Sequence, residues 1–239
     1  MNSVKINSGN TLMIAHRGLS GIETENTNAA FIAAGNRSYF GIETDVHKTS
    51  DGKFVVIHDD ETGRVAAENI SVEGSSFDDL RKVKLHSPDG TFGRADMLIP
   101  TLKEYINTCK RYEKKAILEL KNEFTSDEIK SICNEINEEE YLSEVIFISF
   151  CFDNLVRLRE FYPGQTVQFL IDDYSDDLPD LLSKHGFDLD IKYTSLTKER
   201  IETLHKNGIK VNCWTCNDKD VGEELCRYGI DFITSNILE

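Results

Sequence analysis

The chain of 239 residues has little proline, few basic residues and no long apolar segment. Pro stands at only four positions and hydrophobic residues make up 39%, which excludes a disordered chain and is typical of a folded protein. No segment approaches the ~18 consecutive apolar residues of a membrane span, and the N-terminus lacks an apolar run of signal-peptide length. We therefore expect a cytoplasmic protein without stable membrane insertion.

Positive charge is scarce, because Lys and Arg number 27 against 42 Asp and Glu, a net charge of −15. This balance opposes the basic surface that a phosphate backbone requires, so we expect no nucleic acid partner. A small anionic ligand remains compatible with it, since a cluster of cations or a bound metal can reverse the potential inside one pocket. The six cysteines show no disulfide-framework spacing, and we assign them packing roles.

Short β-branched segments alternate with helical patterns along the whole chain. Apolar residues recur at helical spacing in 102–109 and 129–136, and Gly186, Gly208 and Gly229 stand where helices would end. The candidate strands are eight in number: 12–16, 40–46, 115–121, 144–150, 166–171, 187–191, 209–215 and 231–234. This rhythm predicts an α/β fold, a (β/α)8 TIM barrel that occupies residues 1–239 as a single domain. Only five residues follow the last predicted strand, which leaves little room for an eighth helix.

Residues 59–99 interrupt the alternation. They are rich in Gly, Ser and Asp and have no sustained helical periodicity, so we expect a small insertion after the second strand region. The insertion would be either a lid or substrate wall over one end of the barrel, or an ordinary surface excursion.

Acidic residues occupy one face of the second predicted strand. Residues i and i+2 of a strand point to the same side, so the side chains of Glu43 and Asp45 converge. Two carboxylates aimed into one concavity would repel unless a divalent cation lay between them, and such oxygen ligands suit Mg²⁺ or Ca²⁺. Acids on an exposed sheet face are the competing explanation for this pair.

Further charged residues follow other apolar strands. Glu119 and Lys121 lie near the carboxyl end of their strand, where barrel active sites are built, although a buried pair that neutralises itself would look the same. His16 and Arg17 end the first strand, and His58 ends the run after the turn at residues 51–52. Together these residue types supply the parts of metal-assisted phosphoryl chemistry.

His47 is a separate case. Strict alternation would place it on the same face as Glu43 and Asp45, but residues 48–52 begin a turn. We therefore expect the strand to end near Val46, and His47 to lie at the rim of the site or behind the metal ligands rather than on the metal.

The chain resembles the glycerophosphodiester phosphodiesterases. The matching segments are AHRG at 15–18, ENTNAAF at 25–31, IETDVHKTSDGKFVVIHD at 42–59, LELK at 118–121, SF at 149–150 and WTCND at 214–218. The resemblance implies a (β/α)8 barrel, one divalent cation, and hydrolysis of glycerophosphodiesters to glycerol 3-phosphate and an alcohol. It also implies that Glu43, Asp45 and Glu119 hold the metal, that His16 and His58 form the acid–base pair, and that Trp214 contacts the glycerol.

The chain departs from the family pattern at Thr24, where the family usually has Pro, at residues 60–65, and at Ser235, where an acid is common. None of these changes removes a proposed catalytic residue. We expect Arg17 and Lys121 to neutralise the phosphodiester, and one histidine to take a proton while the other protonates the leaving alcohol. The residues leave open which histidine is the acid. The alternatives are a related barrel phosphodiesterase acting on phospholipids, or a non-catalytic barrel that binds phosphometabolites.

Overall fold

Eight parallel strands close into a barrel in the computed structural model, which describes residues 2–239. The helices and strands follow one another in this order: β1 Leu12–Ala15, α1 Asn28–Gly35, β2 Gly41–Lys48, β3 Phe54–Val56, α2 Phe77–Leu80, α3 Leu102–Arg111, β4 Lys115–Leu120, α4 Ser126–Glu138, β5 Val145–Ser149, α5 Phe152–Phe161, β6 Val167–Ile171, α6 Leu178–His185, β7 Asp188–Lys192, α7 Lys198–Lys206, β8 Val211–Trp214, α8 Lys219–Tyr228 and β9 Phe232–Ser235. Short 3₁₀ helices lie at Thr62–Arg64, Leu142–Glu144 and Tyr193–Ser195.

The strand order is β1-β9-β8-β7-β6-β5-β4-β2, and the pairing of β1 with β2 closes the ring. All eight predicted strands are present and parallel, which confirms the predicted (β/α)8 barrel. One further strand, β3, lies outside the ring and runs antiparallel to β2, with Val46 opposite Val56.

Each barrel strand has two buried faces, and this explains its nearly continuous apolar sequence. Outward side chains pack against the surrounding helices in the main hydrophobic core, and Cys109, Cys133 and Cys213 contribute to that core as expected. Inward side chains fill the interior of the barrel: Ile14, Ile117, Ile146, Ile148, Leu170 and Phe232. The polar residues of the candidate site lie next to this interior apolar cluster, at the carboxyl ends of the strands.

Local sequence sets where helices begin and end. Thr101 and Thr125 form capping boxes with Glu104 and Glu128 at the starts of α3 and α4. Helices α6 and α8 end at Gly186 and Gly229, whose φ values of 63° and 86° lie in the left-handed region that glycine adopts without strain.

The insertion folds around a hydrophobic core of its own. Val55 and Ile57 contribute to this core from the β3 region, and the insertion supplies most of the rest, including Leu80, Leu85 and Met97. The short helix α2 lies within this segment. The insertion therefore packs as a small structured layer, although no helical periodicity predicted it.

No helix follows β9 within residues 2–239. Instead the last residues run beside the N-terminal segment, where the backbone N–H of Val4 donates to Ile237 and that of Glu239 donates to Val4. Among the described residues, no helix has both the length and the apolar character that crossing a membrane would require.

Candidate active site

Three buried carboxylates meet at the mouth of the barrel. Glu43 and Asp45 alternate along β2 and point inward, and parallel pairing places Glu119 of β4 beside Asp45. One oxygen from each lies within 4.8 Å of the others, and the three residues are 3%, 1% and 6% exposed. The structure thus brings together the three predicted metal ligands from two strands more than seventy positions apart in sequence.

Two cations accompany these acids. The Lys121 ammonium lies 2.9 Å from Glu119 Oε1 and 3.6 Å from Asp45 Oδ1. Arg17 donates its backbone N–H to Glu43 Oε2 at 2.7 Å, and its Nε lies 3.6 Å from Asp45 Oδ2. With all three carboxyl groups ionised, the three acids and two cations sum to one net negative charge. A bound dication would change that to one positive charge, which is the complement of a singly charged phosphodiester.

The three acids of the cluster differ in pKa. Burial, together with repulsion from Asp45, raises the pKa of Glu43 well above its usual range and that of Glu119 to about 8. Burial also acts on Asp45, but attraction to Arg17 and Lys121 outweighs it and lowers the pKa of Asp45 to about 2. The buried Asp45 Oδ1 atom has no hydrogen-bond partner. A set of oxygen donors with an unpartnered carboxylate oxygen fits a hard divalent cation.

The two predicted catalytic histidines flank the acids and line the same cavity. His16 follows β1, and its Nδ1 lies 2.6 Å from Asn236 Oδ1 while its Nε2 lies 4.0 Å from Glu43 Oε2. His58 follows β3, and its Nδ1 lies 2.5 Å from Asp59 Oδ1. Since both Nδ1 partners are acceptor oxygens, Nδ1 carries the proton and Nε2 is the nitrogen left for substrate in each ring.

The surroundings of the two rings differ. Burial, then repulsion from Arg17, lowers the pKa of His16 to about 4. Burial also lowers the pKa of His58, while attraction to Asp45 and the bond to Asp59 act in the opposite direction. His58 therefore has a carboxylate that stabilises its charged form, whereas His16 has only an amide oxygen at the corresponding nitrogen.

A central cavity of about 50 Å³ lies between these groups. Arg17, His16, His58, Glu43 and Glu119 form its charged side, and the opposite side is formed by Ile148, Phe150, Leu170, Asp190, Trp214 and Thr234. Trp214 packs edge-on against Phe150, with ring centroids 5.6 Å apart. Of the predicted substrate-binding residues, Arg17 and Trp214 line the cavity, while Lys121 contacts the acids beside it.

The model of the glycerophosphoryl diester phosphodiesterase family matches residues 16–238 of this chain. The chain belongs to this family. The predicted enzyme class, a glycerophosphodiester phosphodiesterase, is confirmed with it.

Known members of the family match over nearly their whole length. The Bacillus subtilis protein YhdW is 30% identical over 236 residues, which cover 94% of this chain and 93% of the relative. A glycerophosphodiester phosphodiesterase of Caldanaerobacter subterraneus is also 30% identical, with 95% and 94% of the two chains covered. A solved Oleispira antarctica phosphodiesterase, in complex with the product sn-glycerol-3-phosphate, superposes with a TM-score of 0.87 at 25% identity, covering 98% of this chain and 96% of that one.

Sequence reasoning missed a hydrogen-bonded network that joins the insertion to the site of this phosphodiesterase. Arg64 of the insertion donates two bonds of 2.8 Å to Glu25 and one of 2.6 Å to Asp59. Glu25 also accepts a 2.8 Å bond from Arg17, and Asp59 is the partner of His58. Glu25 and Asp59 lie in the segments 25–31 and 42–59, which match the family pattern, but the sequence alone indicated no role for either residue.

The end of β2, which carries His47, differs from the prediction. The expected strand end near Val46 is wrong, because β2 continues to Lys48 where pairing with β3 keeps the backbone extended. Of the two expected positions for His47, the structure has the one behind the site: the side chain is fully buried, and its Nε2 lies 3.2 Å from the backbone oxygen of His58. It does not belong to the cluster of Glu43, Asp45 and Glu119, so it contacts the His58 segment instead of the metal position.

Proposed function

We propose that this protein hydrolyses glycerophosphodiesters, such as glycerophosphocholine or glycerophosphoethanolamine, to sn-glycerol 3-phosphate and an alcohol. The product complex of the Oleispira antarctica phosphodiesterase supports a small-molecule substrate of this kind. The observation that carries the proposal is the meeting of three buried acids, two cations and two histidines at one barrel mouth. The reaction breaks the bond between phosphorus and the alcohol oxygen.

Glu43, Asp45 and Glu119 would hold one divalent cation, Mg²⁺ or Ca²⁺. When bound, the cation would neutralise the phosphodiester and stabilise the negative charge that grows on its oxygens. Arg17 adds a permanent positive charge on the charged side of the cavity. Lys121 offsets part of the charge of Glu119 and Asp45, so the acids remain together in a buried site.

The two histidines are assigned from their partners. A general base must be neutral, and the lowered pKa of His16 keeps its Nε2 free to accept a proton from the attacking oxygen. A general acid must hold a proton, and the Asp59 carboxylate stabilises the charged form of His58. His58 would therefore protonate the leaving alcohol. The attacking oxygen is that of water or of the glycerol 2-hydroxyl, which would form a cyclic phosphate that water then opens.

The test is release of sn-glycerol 3-phosphate from glycerophosphocholine with and without divalent metal. We expect chelation to remove activity and Mg²⁺ or Ca²⁺ to restore it, with a weaker rescue in Glu43→Ala and Asp45→Ala. The matched control is Glu202→Ala, an exposed acid on α7. Full activity in excess chelator would reject the metal assignment. Release of choline from sphingomyelin, with no glycerol 3-phosphate released from glycerophosphocholine, would reject the substrate.

A further inference from the structure

A fourth buried carboxyl group lies in the cavity and has no role in the mechanism above. Asp190 of β7 is 1% exposed, points into the barrel and lines the cavity. Its Oδ1 atom has no hydrogen-bond partner. A buried carboxyl oxygen without a partner is costly, so its presence calls for a donor from elsewhere.

The neighbouring polar side chains do not supply that donor. Asn212 lies opposite Asp190 in the register of β7 and β8, but its amide N–H donates to Gln168 Oε1 at 3.1 Å. The oxygen of the same amide accepts a bond of 3.2 Å from the Thr234 hydroxyl. These bonds link the three side chains to one another and leave Asp190 outside their network, although the buried Gln168 Nε2 also has no partner.

The position of Asp190 selects what kind of group could approach it. In the strand order of the barrel, β7 lies diametrically opposite β2, which carries two of the proposed metal ligands. The phosphate belongs on the side of the cavity that carries Arg17, so the uncharged part of the substrate faces Asp190. The indole N–H of Trp214, on the Asp190 side of the cavity, is also buried without a partner. One unfilled acceptor and one unfilled donor in an apolar wall fit a hydroxyl group, which can donate and accept at once.

We propose that Asp190 is a specificity-determining residue, whose carboxylate accepts a hydrogen bond from the terminal hydroxyl of the glycerol half of the substrate. This inference rests on the proposed function. The terminal hydroxyl is the one farther from the phosphate, which matches the location of Asp190 across the barrel from the metal ligands. The interaction would fix the orientation of the substrate and would disfavour diesters whose small half ends in a methyl group or an anion.

The experiment compares two substrates. One is glycerophosphocholine, and the other is 2-hydroxypropyl phosphocholine, which keeps the hydroxyl next to the phosphate ester and lacks the terminal one. We expect wild-type kcat/KM to favour glycerophosphocholine by about ten- to a hundredfold, the range for leaving a buried acceptor without its hydrogen-bond partner. In Asp190→Ala the preference should fall to less than about threefold, through a loss on glycerophosphocholine alone. The control Asp188→Ala, from the same strand but outside the cavity lining, should keep the wild-type preference.

Two results would overturn the inference. One is a wild-type enzyme that turns over both substrates equally well, which needs no variant to establish. The other is an Asp190→Ala enzyme whose rates fall by the same factor on both substrates or whose preference is unchanged. If the wild type hydrolyses neither diester, the proposed function fails instead. The same preference is then measured by calorimetric binding of glycerol 3-phosphate and 2-hydroxypropyl phosphate.

Discussion

Glu119→Gln should stabilise the metal-free protein at alkaline pH while it removes activity. Glu119 is 6% exposed, and burial followed by repulsion from Asp45 raises its pKa from 4.5 to about 8. In the unfolded chain this carboxyl ionises near 4.5, whereas in the folded chain it ionises near 8. The folded state therefore binds the extra proton, and the stability of the metal-free protein falls as pH rises between these two values.

The size of the effect follows from the same two pKa values. A rise from 4.5 to about 8 corresponds to at most about 5 kcal/mol, at about 1.4 kcal/mol for each tenfold change in proton affinity. Gln stays neutral and escapes this penalty, and the attraction between Glu119 and Lys121, which lie 2.9 Å apart, is already part of the pKa of about 8. We expect a gain of at most about 5 kcal/mol in the free energy of unfolding at pH 8.5, and almost none at pH 4.

The assay is urea unfolding of wild type and variant in chelator at several pH values. Glu202→Gln, an exposed acid, serves as the control and should show no such trend. In excess Mg²⁺ the order should reverse, because only the wild type gains stability from a complete set of metal ligands. A Gln variant less stable than wild type at pH 8.5 in chelator would refute the reasoning.

Further predictions concern the histidines and the network behind them. His16→Ala and His58→Ala should each lower kcat about 10²–10⁴-fold at an unchanged melting temperature, and wild-type rates in either would contradict the assignment. Asp59→Asn removes the carboxylate that lies 2.5 Å from His58 Nδ1. We expect kcat to fall, and the limb of the pH profile of kcat that reports the general acid to move to lower pH. An unchanged pH profile would count against His58 as the general acid. Arg64→Met should lower kcat and raise KM, because Arg64 bonds both Asp59 and Glu25 and so joins the His58 and Arg17 sides of the site. The control Arg94→Met, from the same insertion, should change neither constant. Equal effects of the two variants would exclude a positioning role for Arg64.

The barrel was predictable because each of its strands is buried on both faces. That environment produces short apolar β-branched runs, and eight such runs separated by helical patterns specify a closed ring. The limits of the strands were less predictable. The run at 209–215 forms a strand only at Val211–Trp214, and β2 exceeds its expected end because pairing with β3 extends it. Pairing between segments is a tertiary effect that local periodicity does not contain.

Some residues of the candidate site could likewise be predicted from the local sequence pattern, and others could not. Glu43 and Asp45 were recognisable because alternation on a strand fixes their common side. Asn26 was not recognisable as part of the site, although its amide donates to Asp45 Oδ2 at 2.7 Å. It lies in a loop and has a φ of 51°, and the pattern of apolar residues carries no information about such a loop. Asn236 is a similar case, since its contact with His16 depends on the path of the chain after β9.

The distribution of charge explains how a strongly acidic protein could bind an anionic substrate. The cations of the site form ion pairs with buried acids and do not belong to a basic surface. The electrostatic potential in the cavity therefore depends on whether a dication offsets the charges of Glu43, Asp45 and Glu119. With the dication bound, the sum on this side of the cavity would become positive, while the Asp190 side across the barrel carries no cation. A phosphodiester that enters this field has one favourable orientation, with its phosphate toward Arg17 and its glycerol hydroxyl toward Asp190. The four buried carboxylates would thus bind the metal and orient the substrate with a single arrangement of charge.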